Sequence, residues 1–254
     1  MFNLIPQGAS GDIVEINMNR PPVNAQSPDM VAGLRQTLRD VVGQGARATV
    51  LSGREGLYSA GLDVAALIQL DRPAMEDFLT DYYALWNDLA SCAIPIAAAI
   101  TGHAPAGGAA VASFCDYRVM AQGKFRMGLN EVAVGLVMPR PICFVTQYIL
   151  GHHRAERVLV EAQMLNPDEL LEIGWVDEVV EPDQVVPSAV AWCEKLLKLP
   201  PKTLNATRHH ARSKISAAIT EDVYGPRETA DSWFSEEGQS TIKALLDKLA
   251  AKQG

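Results

Sequence analysis

Two short runs of small residues limit what this chain can fold into: Ser59-Ala60-Gly61-Leu62-Asp63 and His103-Ala104-Pro105-Ala106-Gly107-Gly108. Each follows a stretch that reads as a buried strand, Ala48-Thr49-Val50-Leu51-Ser52 before the first and Ile94 to Ile100 before the second. Residues without bulk let backbone approach backbone or ligand closely, and a strand feeding each run can hold it still. Gly107-Gly108-Ala109-Ala110-Val111-Ala112 then reads as the opening of a small-residue helix, whose first N–H groups have no partner inside the helix. Two such turns can aim two main-chain N–H groups at one oxygen. Downstream, Gly128-Leu129-Asn130-Glu131 supplies a carboxylate. Two donors converging on an oxygen, with a carboxylate to move a proton, are the minimum equipment for making an enolate.

The rest of the chain reads as an α/β layered domain. Asp12 to Met18 alternates apolar and polar side chains, the period of a half-buried strand. Ser27-Pro28-Asp29 reads as N-cap, first-turn proline and first-turn acid of a helix carrying Met30, Leu34, Leu38 and Val41. Asp71-Arg72-Pro73 opens a second helix, with Met75, Phe78, Leu79, Tyr82, Trp86 and Leu89 on one stripe. Tyr117 to Ala121 is a further strand, and beyond Met138 the pattern is mainly helical. Asn166-Pro167-Asp168-Glu169 starts a helix ending near Gly174. Gln184 to Leu197, Pro201 to Ala218 and Ser240 to Ala251 are amphipathic helix candidates. No sequence repeat or flexible linker stands out. A boundary at Lys198-Leu199-Pro200-Pro201 divides a core domain, 1–198, from a helical extension, 199–254.

Composition excludes some classes. A formal charge of -8 and only 6% aromatic content argue against a nucleic-acid partner, although Arg208, His209, His210, Arg212 and Lys214 form a local basic patch able to hold an isolated phosphate. Cys92, Cys115, Cys143 and Cys193 lack metal-type spacing and sit in apolar stretches, so buried reduced thiols are expected. No signal segment and no run of apolar residues long enough for a membrane span is read. The expected compartment is the cytoplasm of a bacterium, or the mitochondrial matrix of a eukaryote once an import signal is removed. His152-His153 and His209-His210 are adjacent pairs, which do not point together as metal ligands must; no metal is expected.

Taken singly, each chemical motif has a plain structural reading. Ser59 to Asp63 is also an ordinary strand-exit loop. Gly107-Gly108 also suits a helix packed tightly on a strand. Glu131 is also a solvated first-turn acid after a capping Asn130.

In order and together, however, these motifs resemble the crotonase superfamily, the enoyl-CoA hydratases and isomerases. The resemblance covers nearly the whole chain: Asn19-Arg20-Pro21-Pro22-Val23-Asn24-Ala25, the Ser-Ala-Gly-Leu-Asp turn, the Ala-Gly-Gly helix opening, Cys115-Asp116-Tyr117-Arg118, Glu131 with Gly135-Leu136, and Ile173-Gly174-Trp175-Val176-Asp177-Glu178-Val179-Val180. It is nearest to the mitochondrial-type delta-3,delta-2-enoyl-CoA isomerases. The resemblance implies the ClpP/crotonase-like spiral of repeated ββα units with a C-terminal helical region, assembled as trimers or dimers of trimers.

It also implies roles. Hydratases of the family carry two catalytic glutamates; here the first position is Ala110 and the second is Glu131. One base suffices to move a double bond, so Glu131 would take a proton from the alpha carbon and return it to the gamma carbon. The N–H groups of Leu62 and Gly107 would form the oxyanion hole. Ser59, Ala60, Gly61, Asp63, Val64, Val23, Gly108 and Asn130 would line the path of the acyl-CoA thioester. Coenzyme A is then part of the substrate, and no separate cofactor is expected. Alternatives are another crotonase reaction, hydration, dehydration or thioester hydrolysis, and a non-catalytic acyl-CoA-binding homologue.

Remaining candidates carry paired readings. Val132, Val134, Leu136 and Val137 would give Glu131 an apolar setting that raises its pKa. Arg140, in Met138-Pro139-Arg140-Pro141 near the expected acyl end, either selects an acidic or polar acyl group or makes a surface ion pair. Asp63 and Asp116 are read as fixing turns, with hydration reopened if either reaches the acyl pocket; His103 is read as making a structural hydrogen bond. Apolar stripes on Ser240 to Ala251 and at Trp233-Phe234 would be buried at an interface or in the core.

Overall fold

Three consecutive stretches of the chain repeat one path, which a computed structural model describes together with the rest of residues 1–251. The elements run β1 (Phe2–Gln7), β2 (Ile13–Met18), α1 (Pro28–Gly43), β3 (Ala48–Ser52), β4 (Gly56–Leu57), α2 (Val64–Leu67), α3 (Arg72–Ala90), β5 (Ile96–Ile100), β6 (Gly102–Pro105), α4 (Gly107–Ser113), β7 (Tyr117–Ala121) and β8 (Met127–Gly128). Then follow a 3-10 turn, Glu131–Val134, and α5 (Arg140–Leu150), α6 (His152–Val160), α7 (Pro167–Glu172), β9 (Glu178–Val180), α8 (Val185–Leu197), α9 (Pro201–Thr220), α10 (Gly225–Trp233) and α11 (Glu236–Ala251).

The large sheet has the order β1-β2-β3-β5-β7-β9, parallel except for the β1–β2 pair. A small parallel sheet has the order β4-β6-β8. Each pass therefore places one strand in the large sheet and the next in the small one: β3 then β4, β5 then β6, β7 then β8. This is the expected spiral. Successive passes abut so closely that a Cβ at Gly102 would overlap the backbone of Gly56.

The large sheet is covered on both faces, as parallel strands require. Along β5, Ala97 and Ala99 face α8 with Val185, Ala189 and Cys193. Ile96, Ala98 and Ile100 face the main core with α1, α3 and α4. Helix starts follow the expected caps: Ser27 accepts from Met30 N, Asp71 from Ala74 N, and Asn166 forms a full capping box with Glu169.

Several expectations are corrected or extended. β1 was not foreseen; its side chains are mainly exposed and it pairs only at the sheet edge. The strand expected from Ile94 begins at Ile96, whose N–H donates to Asp116 Oδ2 at 2.8 Å. Cys143 is only half-buried, unlike the other three free thiols. The basic patch does not exist as a patch. Arg208 and Arg212 turn inward onto Asp116, at 2.7 and 3.2 Å, while His209, His210 and Lys214 stay exposed. Trp233 and Ile242, on the C-terminal stripes, are buried within this chain, at 3% and 1% exposure. No helix among the described residues is long and apolar enough to cross a membrane. Of the proposed 199–254 extension, residues 252–254 lie outside the described residues.

Candidate active site

The small sheet carries both donor turns. β4 delivers the chain to Ser59–Asp63, and β6 delivers it to Ala106-Gly107. The turns touch: a Cβ at Gly61 would lie 3.0 Å from Gly107 N and 3.1 Å from the Pro105 carbonyl. Gly61 also has φ +82°, a conformation that favours glycine.

Neither Leu62 N–H nor Gly107 N–H donates to a protein group among the described residues. Their directions are nevertheless fixed, because a planar trans peptide points its N–H opposite to its C=O. The carbonyl sharing a peptide with Leu62 N–H is Gly61 O, which accepts from Gln26 N at 2.8 Å. The carbonyl sharing a peptide with Gly107 N–H is Ala106 O, which accepts from Ala110 N at 3.0 Å. Ala106 itself sits at φ +47° despite its Cβ, held by its N–H to Gly128 O at 2.7 Å. A non-glycine residue there is strained by roughly 1–3 kcal/mol.

The other expected site residues take distinct places. Ser59 is fully buried, and its hydroxyl donates to Asn24 O at 2.8 Å while accepting from Gly61 N at 3.2 Å. Its carbonyl lies against Gly108, where a Cβ would come within 2.7 Å. Ser59 and Gly108 thus shape the turns from behind. Ala60 N donates to Val23 O at 3.0 Å, and the Val23 side chain is exposed. Asp63 caps α2 through Ala66 N and pairs with Arg20 at 2.8 Å; Val64 opens that helix. Asp116 is committed to Arg208 and Arg212. Both aspartates therefore fix structure, as read. His103 Nδ1 accepts from Arg126 N at 3.1 Å, again a structural bond. Exposed Arg140 pairs with Asp222 and Glu228 at 3.1 and 2.7 Å, so the ion-pair reading holds. With Tyr83, Met138 and Pro139 it lines a cavity of about 90 Å³.

Glu131 opens the 3-10 turn after Asn130, and the capping reading fails: Asn130 makes no side-chain cap bond. Its Oδ1 and the Glu131 Oε2 are buried without hydrogen-bond partners. Burial pushes the Glu131 carboxyl up to about 7, with only its own backbone N–H pulling the other way. The expected apolar setting is corrected. Val132 and Val137 point outward, at 48% and 71% exposure, while Val134 is half-buried and Leu136 is half-buried against the core. The neighbours that feel the Glu131 charge are Tyr82 and Cys143, where it adds to the burial that pushes each of them up. Among the described residues no second carboxylate contributes to the shift of Glu131. Ala110 is fully buried.

Two residues here were not foreseen as part of the site. Gln26 is buried beneath both turns, and Tyr82 donates to its Oε1. The available signals were a polar side chain between the buried Ala25 and the capping Ser27, and a hydroxyl on an apolar stripe, which needs a partner once buried.

Free N–H donors beside a carboxylate titrating near neutrality can together remove a proton and hold the resulting oxyanion. Residues 8–252 match the model of the enoyl-CoA hydratase/isomerase family. The chain belongs to that family. Among curated relatives of this enoyl-CoA hydratase/isomerase family chain, the mitochondrial enoyl-CoA delta isomerase 1 of Mus musculus is 30% identical over 98% of this chain and 87% of its own. A putative enoyl-CoA hydratase of Thermus thermophilus is 28% identical over 95% and 97%. The crystal structure of the human mitochondrial delta3-delta2-enoyl-CoA isomerase superposes with a TM-score of 0.95 at 26% identity, covering 100% of this chain and 99% of that one. The crotonase fold is thereby established. Among the described residues no cluster of three His, Cys, Asp or Glu is placed to hold a metal.

Proposed function

We propose that this enoyl-CoA hydratase/isomerase family member is an isomerase that shifts the double bond of a delta-3-enoyl-CoA to the conjugated delta-2 position, a step of fatty-acid beta-oxidation. The observation that carries the reading is a carboxylate, Glu131, raised by burial with no other carboxylate among the causes, together with alanine at the position where hydratases place their other glutamate. Glu131 removes a proton from the alpha carbon. The electron pair moves into a dienolate whose charge collects on the thioester oxygen, held by Leu62 N–H and Gly107 N–H. The gamma carbon then takes the proton back from the Glu131 carboxyl. No water is added, so no second carboxylate is needed to deprotonate one. The thioester enters along Ala60–Val64 and past Val23, with Ser59 supporting the turn from behind and Asn130 beside the base. A homotrimer or a dimer of trimers is the assembly proposed with this fold.

The test gives purified protein a delta-3-enoyl-CoA and, separately, a delta-2-enoyl-CoA, and follows conjugated-thioester absorbance with product masses. Gain of conjugation at constant mass is expected. Loss of conjugation with the mass of water added would instead make the protein a hydratase.

A further inference from the structure

Gln26 touches both donor turns, with its main chain on one and its side chain on the other. Its N–H donates to Gly61 O at 2.8 Å and its carbonyl accepts from Asp63 N at 3.2 Å, so its main chain brackets Leu62. Its carboxamide Nε2 donates to Gly107 O at 3.1 Å and lies 3.4 Å from Ser59 Oγ. We infer that Gln26, with its carboxamide oriented by Tyr82, is a positioning residue that sets the two oxyanion donors relative to each other; the inference rests on the enolate chemistry proposed above.

The argument is one of satisfied groups. A buried carboxamide is costly unless both its ends are bonded, and Gln26 is only 3% exposed. Each end has one suitable partner set. The Gly107 carbonyl can only accept, which assigns it the Nε2 end, and the Tyr82 hydroxyl, 4% exposed, then donates to the oxygen. The Nε2 end is then turned to the Gly107 carbonyl and the Ser59 hydroxyl. The three groups are tightly packed: a Cβ at Gly107 would overlap both Gln26 Oε1 and the Tyr82 hydroxyl. One carboxamide thus ties the second donor turn to the residue whose main chain orients the first. Tyr82 also connects this arrangement to the base. Donors aimed before charge develops stabilise it most, and small misplacements are costly.

The experiment uses acetoacetyl-CoA, a beta-ketoacyl thioester whose enolate absorbs in the near ultraviolet while its keto form does not. The enolate fraction of bound ligand reports the oxyanion donors and does not require Glu131 or any particular turnover. Gln26→Met keeps length and removes both carboxamide bonds. It is expected to lower the bound enolate-to-keto ratio about tenfold, and kcat about tenfold with KM within about twofold. Tyr82→Phe, which removes only the orienting hydroxyl and safeguards the test if the first variant misfolds, is expected to lower both about threefold. A merely structural role would lower Tm without changing the enolate ratio of the folded fraction. An unchanged ratio in a folded variant overturns the inference, as does a wild-type protein that holds no enolate. A ratio that falls as expected in a protein that isomerises no enoyl-CoA upholds the role of Gln26 and defeats the isomerase reading alone.

Discussion

The two ends of the short helix α4 are treated in opposite ways. At its C-terminal end, the carbonyls of Phe114 and Cys115 accept from Arg212 and Arg118, and Asp116 binds Arg208 and Arg212 beside them. At its N-terminal end, Gly107 N–H donates to no described protein group, and the nearby Glu131 has a buried oxygen with no partner. Asp116 lies just past the last turn of α4, and Glu131, one oxygen of which is buried, lies just past β8, whose Gly128 carbonyl holds Ala106. One is neutralised by two arginines and held by them; the other has only desolvation acting on it, apart from its own N–H. The contrast sets a carboxylate held by two cations against one left open within a rigid frame, and only the open one can exchange a proton with a ligand.

Four variants sharpen or break that contrast. The largest effect is expected from Glu131→Gln, which should reduce turnover of a delta-3-enoyl-CoA about a thousandfold. It should also raise stability. A carboxyl whose folded pKa lies near 7, above the ordinary range, favours the folded state only while protonated; this advantage fades as pH rises through about 7. Above that pH the amide should be the more stable by roughly 3 kcal/mol in urea unfolding. By the same sign, wild-type kcat/KM should fall as pH drops below about 7. A variant equally active, or less stable at pH 8, would break the contrast.

Asp116→Ala is expected to do the reverse. It strips the anion from Arg208 and Arg212, whose side chains are 9% and 12% exposed, and should cost about 3 kcal/mol of stability. Turnover per folded molecule should stay within about twofold. Loss of activity at full stability would show that end of α4 to be part of the chemistry. Next, Gly107→Ala drives a methyl into Gln26 and Tyr82 and should lower kcat about a hundredfold, as loss of one oxyanion donor does. The smallest effect is expected from Arg140→Ala. Its guanidinium and Glu228 are exposed, so turnover of an unsubstituted acyl-CoA should be nearly unchanged, while thermal melting should drop slightly because Asp222, 8% exposed, loses its cation.

Much of this was legible in the chain. Ser27, Asp71 and Asn166 announced helix starts through capping chemistry that acts over three residues. β5, made of Ile-Ala-Ala-Ala-Ile, announced a strand buried on both faces. The spiral repeat left no sequence repeat because β4 and β8 are two residues long and β6 is four; pairing between passes defines them, and local pattern does not. Arg208 and Arg212 read as a surface patch beside two histidines. Their spacing of one helical turn puts them on a common face, and that face turns inward to Asp116. The setting of Glu131 was unreadable from its neighbours. Val132 and Val137 look outward, and the tyrosine near enough to feel its charge, Tyr82, comes from α3.

The peptide units at Leu62 and Gly107 have a consequence for how such a protein diversifies. Both donors are main-chain atoms, aimed through the carbonyl of their own peptide, so no codon spells the pair directly. Selection on the Leu62 side chain is released from the donor role and answers only to its packing against the main core. A map of mutational sensitivity would therefore tolerate other apolar residues over one donor and be loud at Gln26, some distance upstream, where the orientation is inherited.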